Sequence, residues 1–594
     1  MAIFVGTFTI FFYSPLERFF SNTGDFWFGV GDVAFSAAVV TVFIFCALLV
    51  LGLYNSKTAM QLVSVFLLVT SLLWYVQGAF LNPDLRVLDG AEIDWGKYSF
   101  YGVLSLTVWL IVYIFSLYFV VKGKFSKKIM TSVCYIFLLV QVSDLLILGY
   151  ETTEPKNTVY LVSDKGLYEV SSNNNVVVFV LDAFDAQTFK EILGSNNNVD
   201  EWFSDFTWYP DMVAAATRTK ISIPLMLSNI PYLKPFSYSE YKDVVYSQSP
   251  LLRFFAENHI NAGIYTSGIY ASAAMSYAVN NVVSADSKVS SYIEFSKLLY
   301  SFTAFTYMPQ FLKDYFWLYT GDFDFLQTSN VDGLSPYRID DVAFYRNLHK
   351  NDLSLNDKDS SFRFIHMMGP HAPFTMNAKA EKVLESTEHE QAIGALYIVS
   401  QYLAKMKKLG VYDDANIIIT SDHGLRKMEQ NPLMLVRRKK DDMSGLKVSD
   451  ARVSHEAMHK CLVDTMFNNN FNFCFKNYYR DDESRLFYVQ HGTNDDSKII
   501  QFETYGHALE YQNFTKTGII NNLISTEKDD YAVGETLDFM SDGNGNTYTV
   551  IGFSKNEASH TWTDGNLAEI NIPFAVSKTG RSPTPSATPG LMNA

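Results

Sequence analysis

Four apolar segments, each long enough to cross a bilayer, lie within the first 150 residues of the 594-residue chain. A helix needs about 20 apolar residues to span the hydrocarbon core. The segments that meet this requirement are 35–54, 59–80, 100–121 and 129–150. Backbone polar groups inside a bilayer must bond within their own segment, so each segment is predicted to be a helix. Residues 1–150 are therefore predicted to form a transmembrane helical bundle.

The N-terminal segment 3–13 is apolar but shorter than the roughly 17 residues that a span needs. It fits either a short first span or an interfacial helix, which makes the count four or five spans. No basic residue precedes it, so it is not a secretory signal peptide. Lys57 lies between the first two long segments, and four lysines lie between the last two (Lys122, Lys124, Lys127 and Lys128), which predicts that these loops are cytoplasmic. Five spans with a cytoplasmic N-terminus satisfy this pattern best, and residues after 150 are then extracytoplasmic.

Composition narrows the class of partner. The net charge is −15 and no long basic run occurs, which argues against nucleic acid. The cysteines have no zinc-finger spacing, and a disulfide between Cys461 and Cys474 stays open. Asp144 lies inside the last apolar segment, where it is either a functional carboxylate or a hydrogen-bonded structural acid. The membrane itself is the first partner that the sequence indicates.

The rest of the chain divides into three parts by pattern. Residues 151–480 alternate continuous apolar runs (176–181, 362–367 and 416–420) with helical periodicity, as in 388–409. This alternation predicts an α/β domain with a mostly parallel sheet between helices. Residues 481–576 hold short strand patterns between Gly, Asn and Asp turns, which predicts a small β-rich module. Residues 577–594 have no pattern and are expected to be disordered.

Acidic and histidine side chains directly follow two of the predicted strands. Asp182 follows the first run, and Asp422 with His423 follows the third. Ligand sites in open α/β sheets collect at the carboxyl ends of strands. Two carboxylates and an imidazole suit zinc or manganese, with magnesium as an alternative. The competing interpretation makes Asp182 a helix cap and Asp422 part of a turn. Asp185 is the rival of Asp182, and we expect it to be a helix cap.

A stretch of small and hydroxyl residues, 214–222, contains the candidate nucleophile Thr219. A threonine hydroxyl becomes reactive when a metal or a base removes its proton. Arg218 or Lys220 can neutralise a phosphate or sulfate group, and a helix beginning here would aim its N–H groups at an anion. The alternative is an ordinary capped helix start with solvated basic residues. Thr217 is the competing hydroxyl.

Two histidines, His366 and His371, bracket the turn Met-Met-Gly-Pro after the second strand run. This placement predicts contacts with substrate oxygens or protonation of a leaving group. A third histidine, His455, is a weaker candidate for substrate binding. A surface or helix-capping role is an equal alternative for it.

These segments resemble the alkaline phosphatase-like superfamily, in its sulfatase and lipid-headgroup transferase branch. The run Ser-Asp-His-Gly at 421–424 carries most of the resemblance. H-M-M-G-P-H-A-P at 366–373 is similar to the H-x-M-G-x-H-x-P of phosphoethanolamine transferases, and T-K-I-S-I-P at 219–224 is similar to their nucleophile segment. Lipoteichoic acid synthases share the plan of spans followed by an outer catalytic domain. The resemblance implies that Thr219 forms a covalent phosphoryl intermediate. It also implies this set of ligands for the catalytic metal: Asp182, Thr219, Asp422 and His423.

The chain departs from both branches of the family at the nucleophile. Phosphoethanolamine transferases place cysteines around it and a glutamate on the first strand, where this chain has no cysteine and has Asp182. Sulfatases need Cys or Ser in C/S-x-P-x-R for conversion to formylglycine, and Thr219 cannot be converted. The sequence therefore favours phosphoryl transfer over sulfate ester hydrolysis.

The sequence thus predicts a membrane transferase with an extracytoplasmic catalytic domain. It moves a phospholipid headgroup, phosphoglycerol or phosphoethanolamine, to an envelope glycan or polymer through a phospho-threonine intermediate. One alternative is a sulfatase-like hydrolase or phosphodiesterase of surface glycans. Another is a non-catalytic membrane scaffold with a decayed site, which would not need to hold a metal.

Overall fold

The chain folds into two compact units. The computed structural model describes residues 1–23, 26–83, 85, 88, 93–122, 126–151, 160–195, 198–231, 238–358, 360–425, 429–439, 445–468, 483–491, 498–522, 536–537, 548–549, 562–564, 567–569, 577–578 and 592–593. The first unit, here called the helical unit, comprises Met1–Val159 and Ala285–Asp332. The second, the sheet unit, comprises Tyr160–Ser284 and Gly333–Ala594.

The helices of the two units follow the predicted order. In the described residues the α-helices are α1 (Ala2–Phe8), α2 (Ser14–Phe20), α3 (Val30–Tyr54), α4 (Lys57–Val76), α5 (Ser99–Val121), α6 (Lys127–Glu151), α7 (Ala186–Gly194), α8 (Val199–Trp202), α9 (Thr219–Ser228), α10 (Tyr238–Gln248), α11 (Pro250–Glu257), α12 (Tyr292–Tyr307), α13 (Asp341–Asn351), α14 (Glu388–Leu409) and α15 (His455–Asn468).

Four helices of the helical unit are long and apolar enough to cross a membrane. They are Val30–Tyr54, Lys57–Leu81, Trp95–Val121 and Lys128–Tyr150. Each coincides with one of the predicted spans, because a continuous apolar run in lipid has only intrahelical partners for its backbone. The prediction of four long apolar helices is confirmed, and that they cross a membrane stays a prediction.

The N-terminal segment is also helical and lies lengthwise against two of these helices. A π-helical turn, Thr9–Tyr13, joins α1 to α2 without a break. Thr9 bonds the Gln141 side chain at 3.1 Å, and the Tyr13 hydroxyl donates to Asp144 at 2.5 Å, both on α6. The Trp74 indole of α4 donates to Ser14 at 3.0 Å. Asp144 is therefore hydrogen-bonded inside the bundle, as the structural alternative for it requires.

A stretch from the middle of the chain, Ala285–Asp332, belongs to the helical unit. The sequence analysis placed these residues in the outer domain. Their helix α12 buries one apolar face against residues at the start of the chain and near the first long helix. The cluster includes Leu16, Phe19, Phe28, Val33, Phe295, Leu299, Phe302 and Phe305. The apolar segments of the sequence did not predict this packing, because α12 is too polar to be identified as a membrane span.

The β-strands of the described residues are, in chain order, β1 (Leu161–Val162), β2 (Glu169–Val170), β3 (Asn174–Leu181), β4 (Thr207–Trp208), β5 (Met212–Val213), β6 (Asn261–Tyr265), β7 (Val282–Val283), β8 (Ser287–Val289), β9 (Gln327–Ser329), β10 (Ser354–Leu355), β11 (Ser360–Met367), β12 (Ala415–Thr420), β13 (Met434–Arg437), β14 (Lys447–Val448), β15 (Val453–Ser454), β16 (Arg485–His491), β17 (Lys498–Thr504), β18 (Phe514–Asn522), β19 (Thr536–Leu537), β20 (Tyr548–Thr549), β21 (Trp562–Asp564), β22 (Leu567–Glu569), β23 (Ser577–Lys578) and β24 (Met592–Asn593).

A seven-stranded, mostly parallel sheet forms the centre of the sheet unit, in the order β14-β4-β13-β12-β3-β11-β6. The strands β12, β3, β11 and β6 are parallel, and β13 runs antiparallel to β12. The register pairs Leu181 with Met367 and Val180 with Thr420. The carboxyl ends of β3, β11 and β12 therefore lie side by side, which brings the residues after them together.

The sequence of each central element explains its structure. Seven of the eight residues of β3 are buried, as expected for an apolar strand covered on both faces. Helix α14 packs against this strand through Tyr402, whose ring lies 5.2 Å from that of Phe179. Thr387 caps the N-terminus of α14 with its side chain, and Gly410 ends it at a positive φ of 73°. The α/β prediction for this region is confirmed.

The C-terminal region is β-rich, as predicted. Strands β16, β17 and β18 form an antiparallel sheet, and short strand fragments follow it. Cys474 lies outside the described residues, so its pairing with Cys461 stays a prediction. Most of the expected disordered tail, 577–594, also lies outside them.

Candidate active site

Three predicted site residues meet at the carboxyl ends of β3 and β12. One ligand atom each of Asp182, Asp422 and His423 lies within 4.8 Å of the others. The Nε2 atom of His423 is 3.3 Å from Asp422 Oδ2 and 3.8 Å from Asp182 Oδ1. All three side chains are buried. The fold therefore assembles a compact pocket of oxygen and nitrogen ligands from residues 240 positions apart, as Asp182 and Asp422 are.

The pocket fits a divalent cation. Oδ1 of Asp182 and Oδ2 of Asp422 are buried and have no hydrogen-bond partner among the described residues. A buried carboxylate without a partner is costly, and a metal ion removes that cost. The Nδ1 atom of His423 lies 2.8 Å from the carbonyl oxygen of Gly424, so Nδ1 carries the proton and Nε2 is left with its lone pair. Two carboxylates and one imidazole match zinc or manganese.

Hydrogen bonds from backbone and hydroxyl groups hold together the loops that follow β3 and β12. The Ala183 amide donates to Asp422 Oδ1 at 3.2 Å, and the Phe184 amide donates to the Ser421 hydroxyl at 2.9 Å. Ser421 in turn donates to the carbonyl of His423 at 2.5 Å. Ala183 has a positive φ of 60°, which turns the chain sharply after Asp182. These bonds fix the positions of the Asp422 and His423 loop and of the residues after Asp182.

The candidate nucleophile, Thr219, is the first residue of α9. Its hydroxyl lies 3.3 Å from His423 Nε2, and its side chain is partly buried. Ser222, one turn later, donates to the carbonyl oxygen of Asp422 at 2.5 Å and so fixes α9 to the metal-ligand loop. The structure thus brings Thr219 to the Asp182, Asp422 and His423 cluster.

The neighbours of Thr219 differ in their surroundings. Arg218 is exposed. The Lys220 ammonium lies 4.5 Å from the centre of the Tyr238 ring, whose hydroxyl donates to the Lys220 carbonyl. The rival hydroxyl, Thr217, is 4% exposed and accepts from the Gln490 amide at 3.2 Å. Thr217 therefore belongs to the framework, while Thr219 is open to the pocket.

The C-terminal sheet contacts the nucleophile segment directly. The amide of Tyr488, on β16, donates to the Ala215 carbonyl at 3.0 Å, and the Thr217 amide donates back to Tyr488 at 3.0 Å. The Arg485 guanidinium is 1% exposed and pairs with Asp211 at 2.9 Å. No sequence pattern indicates that the β-rich region supports the site, because pairing between distant strands has no local pattern.

The two predicted substrate histidines lie next to the metal-ligand cluster. His366 is fully buried, with Nε2 3.5 Å from Asp182 Oδ2 and Nδ1 3.0 Å from the Thr266 hydroxyl. His371 is partly buried, and its Nδ1 lies 2.5 Å from the carbonyl of Ala372. Burial raises the pKa of Asp182, but the opposing effects of His371, His366 and His423 outweigh burial and hold the pKa below its usual value. Asp182 is therefore ionised at neutral pH.

The third predicted histidine, His455, is surrounded by framework atoms. It is 1% exposed, accepts from the Ala215 amide at 2.9 Å, and lies 3.3 Å from the Thr420 hydroxyl. Burial lowers the pKa of His455 to about 3, so the ring is neutral. Both ring nitrogens have protein partners, and the prediction that His455 contacts substrate gains no support from this position.

Two residues that the sequence analysis did not single out hold the turn between His366 and His371. The Asp341 carboxylate accepts from the amides of Met368 and Gly369 at 2.7 and 2.9 Å. The Gln391 carboxamide, on α14, bonds the same turn and the residues after it. Asp341 is the first residue of α13. Acidic residues are common in the first turn of a helix, so no sequence signal marks Asp341 as part of the site.

The Asp185 side chain accepts from the Thr188 amide at 2.7 Å and caps α7. This confirms its expected role as a helix cap. Asp182, by contrast, has no such cap bond and directs its oxygens to the cluster with His423. The structure thus separates the two acids as the metal-ligand interpretation requires.

Comparison with known proteins agrees with this architecture. Residues 174–448 match the sulfatase family model. Similar solved structures include Ps i-CgsB in complex with k-i-k-neocarrahexaose (14% identity, 58% of this chain and 86% of that chain, TM-score 0.35). They also include the phosphonate monoester hydrolase SpPMH from Silicibacter pomeroyi (12% identity, 56% and 87%, TM-score 0.32).

A membrane protein is also among the similar structures. It is the lipooligosaccharide phosphoethanolamine transferase A (EptA) from Neisseria meningitidis, at 13% identity and a TM-score of 0.31, with 78% of this chain and 95% of that chain covered. No protein of curated function matches the chain. The match to the sulfatase family model thus covers residues 174–448, which include the strands β3, β11 and β12 and the cluster of Asp182, Asp422 and His423.

Proposed function

We propose that the protein is a metal-dependent membrane transferase. It moves a phospholipid headgroup, phosphoglycerol or phosphoethanolamine, to an envelope glycan or polymer. The observation that carries the proposal is the Thr219 hydroxyl, 3.3 Å from His423 and beside two carboxylates with unpartnered oxygens. Threonine cannot become formylglycine, so this pocket suits a phosphoryl intermediate on an oxygen nucleophile.

In this proposal four residues hold the cation: Asp182, Thr219, Asp422 and His423. When bound, a divalent cation lowers the pKa of the threonine hydroxyl and draws charge from the phosphoryl oxygens. Asp182 contributes as a carboxylate because its pKa is held low. His423 contributes Nε2, because its Nδ1 hydrogen is donated to the Gly424 carbonyl.

The first half-reaction transfers the headgroup to the protein. The Thr219 hydroxyl first loses its proton to solvent. Its Oγ1 atom then attacks the phosphorus of the lipid, and the bond from phosphorus to the diacylglycerol oxygen breaks. The departing oxygen takes a proton from His371, which is partly buried. His366 orients the phosphoryl oxygens, and Arg218 and Lys220 offset the negative charge of the substrate.

The second half-reaction returns the site to its starting state. An acceptor hydroxyl attacks the phosphorus of phospho-Thr219, His371 takes its proton, and the threonine oxygen leaves. Because Thr219 is the first residue of the ten-residue helix α9, its phosphoryl group lies at a helix N-terminus. The partial positive charge of that terminus stabilises the anion in both half-reactions.

The helical unit supports the choice of a lipid donor. Helices long enough to span a membrane give the protein direct access to phospholipid. Lys57 between the first two of these helices and the four lysines between the last two favour a cytoplasmic location of both loops, which leaves the catalytic domain outside the cytoplasm. We therefore propose a multi-pass protein of the cell membrane with an extracytoplasmic site.

Intact-mass spectrometry of the full-length protein, after incubation with a bacterial lipid extract, tests this proposal. We expect a covalent adduct in the wild type and in Thr219→Ser, which keeps a hydroxyl, and none in Thr219→Ala. The adduct mass identifies the headgroup. An adduct of equal yield in Thr219→Ala would refute the assignment of the nucleophile.

Two further readouts separate the alternatives. Release of free headgroup without labelling of any acceptor would show a hydrolase instead of a transferase. Metal analysis of the purified protein is expected to give stoichiometric metal in the wild type and a loss in Asp422→Asn. A wild type with neither metal nor adduct would be a scaffold.

A further inference from the structure

Residues 285–332, here called the insert, belong to the helical unit, although the residues before and after them belong to the sheet unit. The chain passes between the two units at 159–160, at 284–285 and again at 332–333. The insert is therefore a second, internal region of the chain that packs with the membrane helices. Its contacts with them show how deep it lies.

The start of α12 contacts α3. The hydroxyls of Ser296 and Ser36 are 2.7 Å apart, and the ring of Tyr292 lies 4.9 Å from that of Phe35. The Tyr292 hydroxyl also donates to Asp32 at 2.7 Å. The insert thus lies against the first two turns of the first long helix.

The end of α12 and the turn after it contact two other long helices. The Tyr307 ring stacks on Trp74 of α4 at 5.7 Å and lies against Gly78, where a Cβ atom would collide with it. The Gln310 amide donates to the Ser105 hydroxyl of α5 at 3.1 Å. Three separate long helices therefore meet the insert.

These three contacts lie at a common depth. Ser36 is six residues from the start of α3 at Val30, and Ser105 is six residues from the start of α5 at Ser99. Helix α4 continues through a π-helical turn to Leu81, and Trp74 is seven residues before that end. At 1.5 Å per residue, each contact lies about 9–11 Å from the helix end on that side.

This depth is below the surface of the hydrocarbon core. The contacted helices, counted from the same ends, have 23 to 25 residues. Helices of that length measure about 35–38 Å against a core of about 30 Å, so each end extends about 2–4 Å beyond it. The contacts are then about 5–7 Å inside the core. Interfacial helices typically bury their apolar face to about 5–10 Å.

Apolar side chains of the insert are exposed next to these contact points. Phe311, which follows Gln310, is 48% exposed, and Ile293, which follows Tyr292, is 73% exposed. Neighbouring faces of the long helices are exposed too, including Leu104 and Leu110 of α5. The exposed apolar surface of the insert is thus continuous with surface that a bilayer covers.

We propose that the insert is an interfacial membrane element, with Phe311 and Ile293 embedded in one leaflet of the bilayer. The occupant of this surface is lipid, because the depth of the contacts fixes the insert at the level of acyl chains. The chain is then anchored in the membrane at the insert as well as at the N-terminal helices. This anchoring does not depend on which group the active site transfers.

Site-specific crosslinking to lipid tests the proposal. The full-length protein would carry benzoylphenylalanine in place of Phe311 or Ile293, in nanodiscs of phosphatidylcholine and phosphatidylglycerol. Leu110 serves as the lipid-facing control, and Leu384, which is 98% exposed in the sheet unit, serves as the water-facing control. We expect lipid adducts at 311 and 293 about tenfold above those at 384 and similar to those at 110.

Two results would overturn the proposal. Adduct yields at both insert positions no higher than at 384 would place the insert in water. Crosslinks from both positions to a second copy of the chain would make the surface a dimer interface. Because the two probes are independent, one misfolded variant, detected by size-exclusion chromatography, leaves the other to decide.

Discussion

Asp341 and Gln391 hold the turn that carries His371, and removal of the Gln391 side chain gives a sharp prediction. The Gln391 amide nitrogen donates to the carbonyls of Gly369 and His371 at 2.9 and 2.7 Å. Its oxygen accepts from the amides of Thr375 and Met376 at 2.8 and 3.2 Å. Gln391 is 2% exposed. One carboxamide therefore holds both sides of the loop.

The size of the effect follows from these four bonds. Truncation in Gln391→Ala leaves the buried groups of Gly369 and Met376 without partners, at about 1–3 kcal/mol each. The groups of His371 and Thr375 are partly exposed and can bond water, so they add less. Asp341 still holds the start of the turn. We expect a local loss of about 3 kcal/mol, which corresponds to about a hundredfold in the opening equilibrium.

Hydrogen exchange measured by mass spectrometry on the full-length protein is the assay. Amides of the 369–376 segment should exchange about a hundredfold faster in Gln391→Ala. Gln391→Glu should do the same, because a carboxylate cannot donate to the two carbonyls. Gln401→Ala, on the same helix, is the matched control and should leave this segment unchanged. Equal exchange in Gln391→Ala and Gln401→Ala would refute the reasoning.

Three further outcomes follow from the site and its supports. Burial lowers the pKa of His459 to about 4, so the native state binds fewer protons than the unfolded state below pH 6.5. The free energy of unfolding therefore decreases as the pH falls, by about 2 kcal/mol between pH 6.5 and 5. His459→Gln should flatten the pH dependence of the melting temperature in that range, and an unchanged slope would contradict this. Asp185→Ala should lower the free energy of unfolding, measured by urea titration, by about 1 kcal/mol because α7 loses its cap. Gln187→Ala, in the same helix, is the control and should cause a smaller change. Burial lowers the pKa of His423, but Asp422 and Asp182 outweigh burial and raise it above its usual value. Metal retention after dialysis should accordingly fall as the pH is lowered and the His423 ring takes up a proton, and retention that does not change with pH would argue against His423 as a ligand.

Patterns that repeat along the chain were sufficient for much of the fold. Apolar runs of about 20 residues predict helices in lipid because the backbone has no other partner there. The runs 176–181, 362–367 and 416–420 lie within β3, β11 and β12. Helix α14 begins and ends at the residues that its periodicity and its closing glycine indicate. The register of the parallel strands then explains why residues that follow separate strands, such as Asp182 and His423, lie together.

Contacts between distant segments were decided only by the tertiary structure. The sequence by itself determined the membrane helices, the central strands and the acidic and histidine residues at the strand ends, because each is encoded in neighbouring residues. Only the folded chain places Thr219 beside His423, 204 residues away, and Gln391 under the His371 turn. It alone shows that β16 pairs with the nucleophile segment and that 285–332 packs with the membrane helices. These contacts depend on packing and hydrogen bonds across long loops, which leave no periodic trace in the sequence.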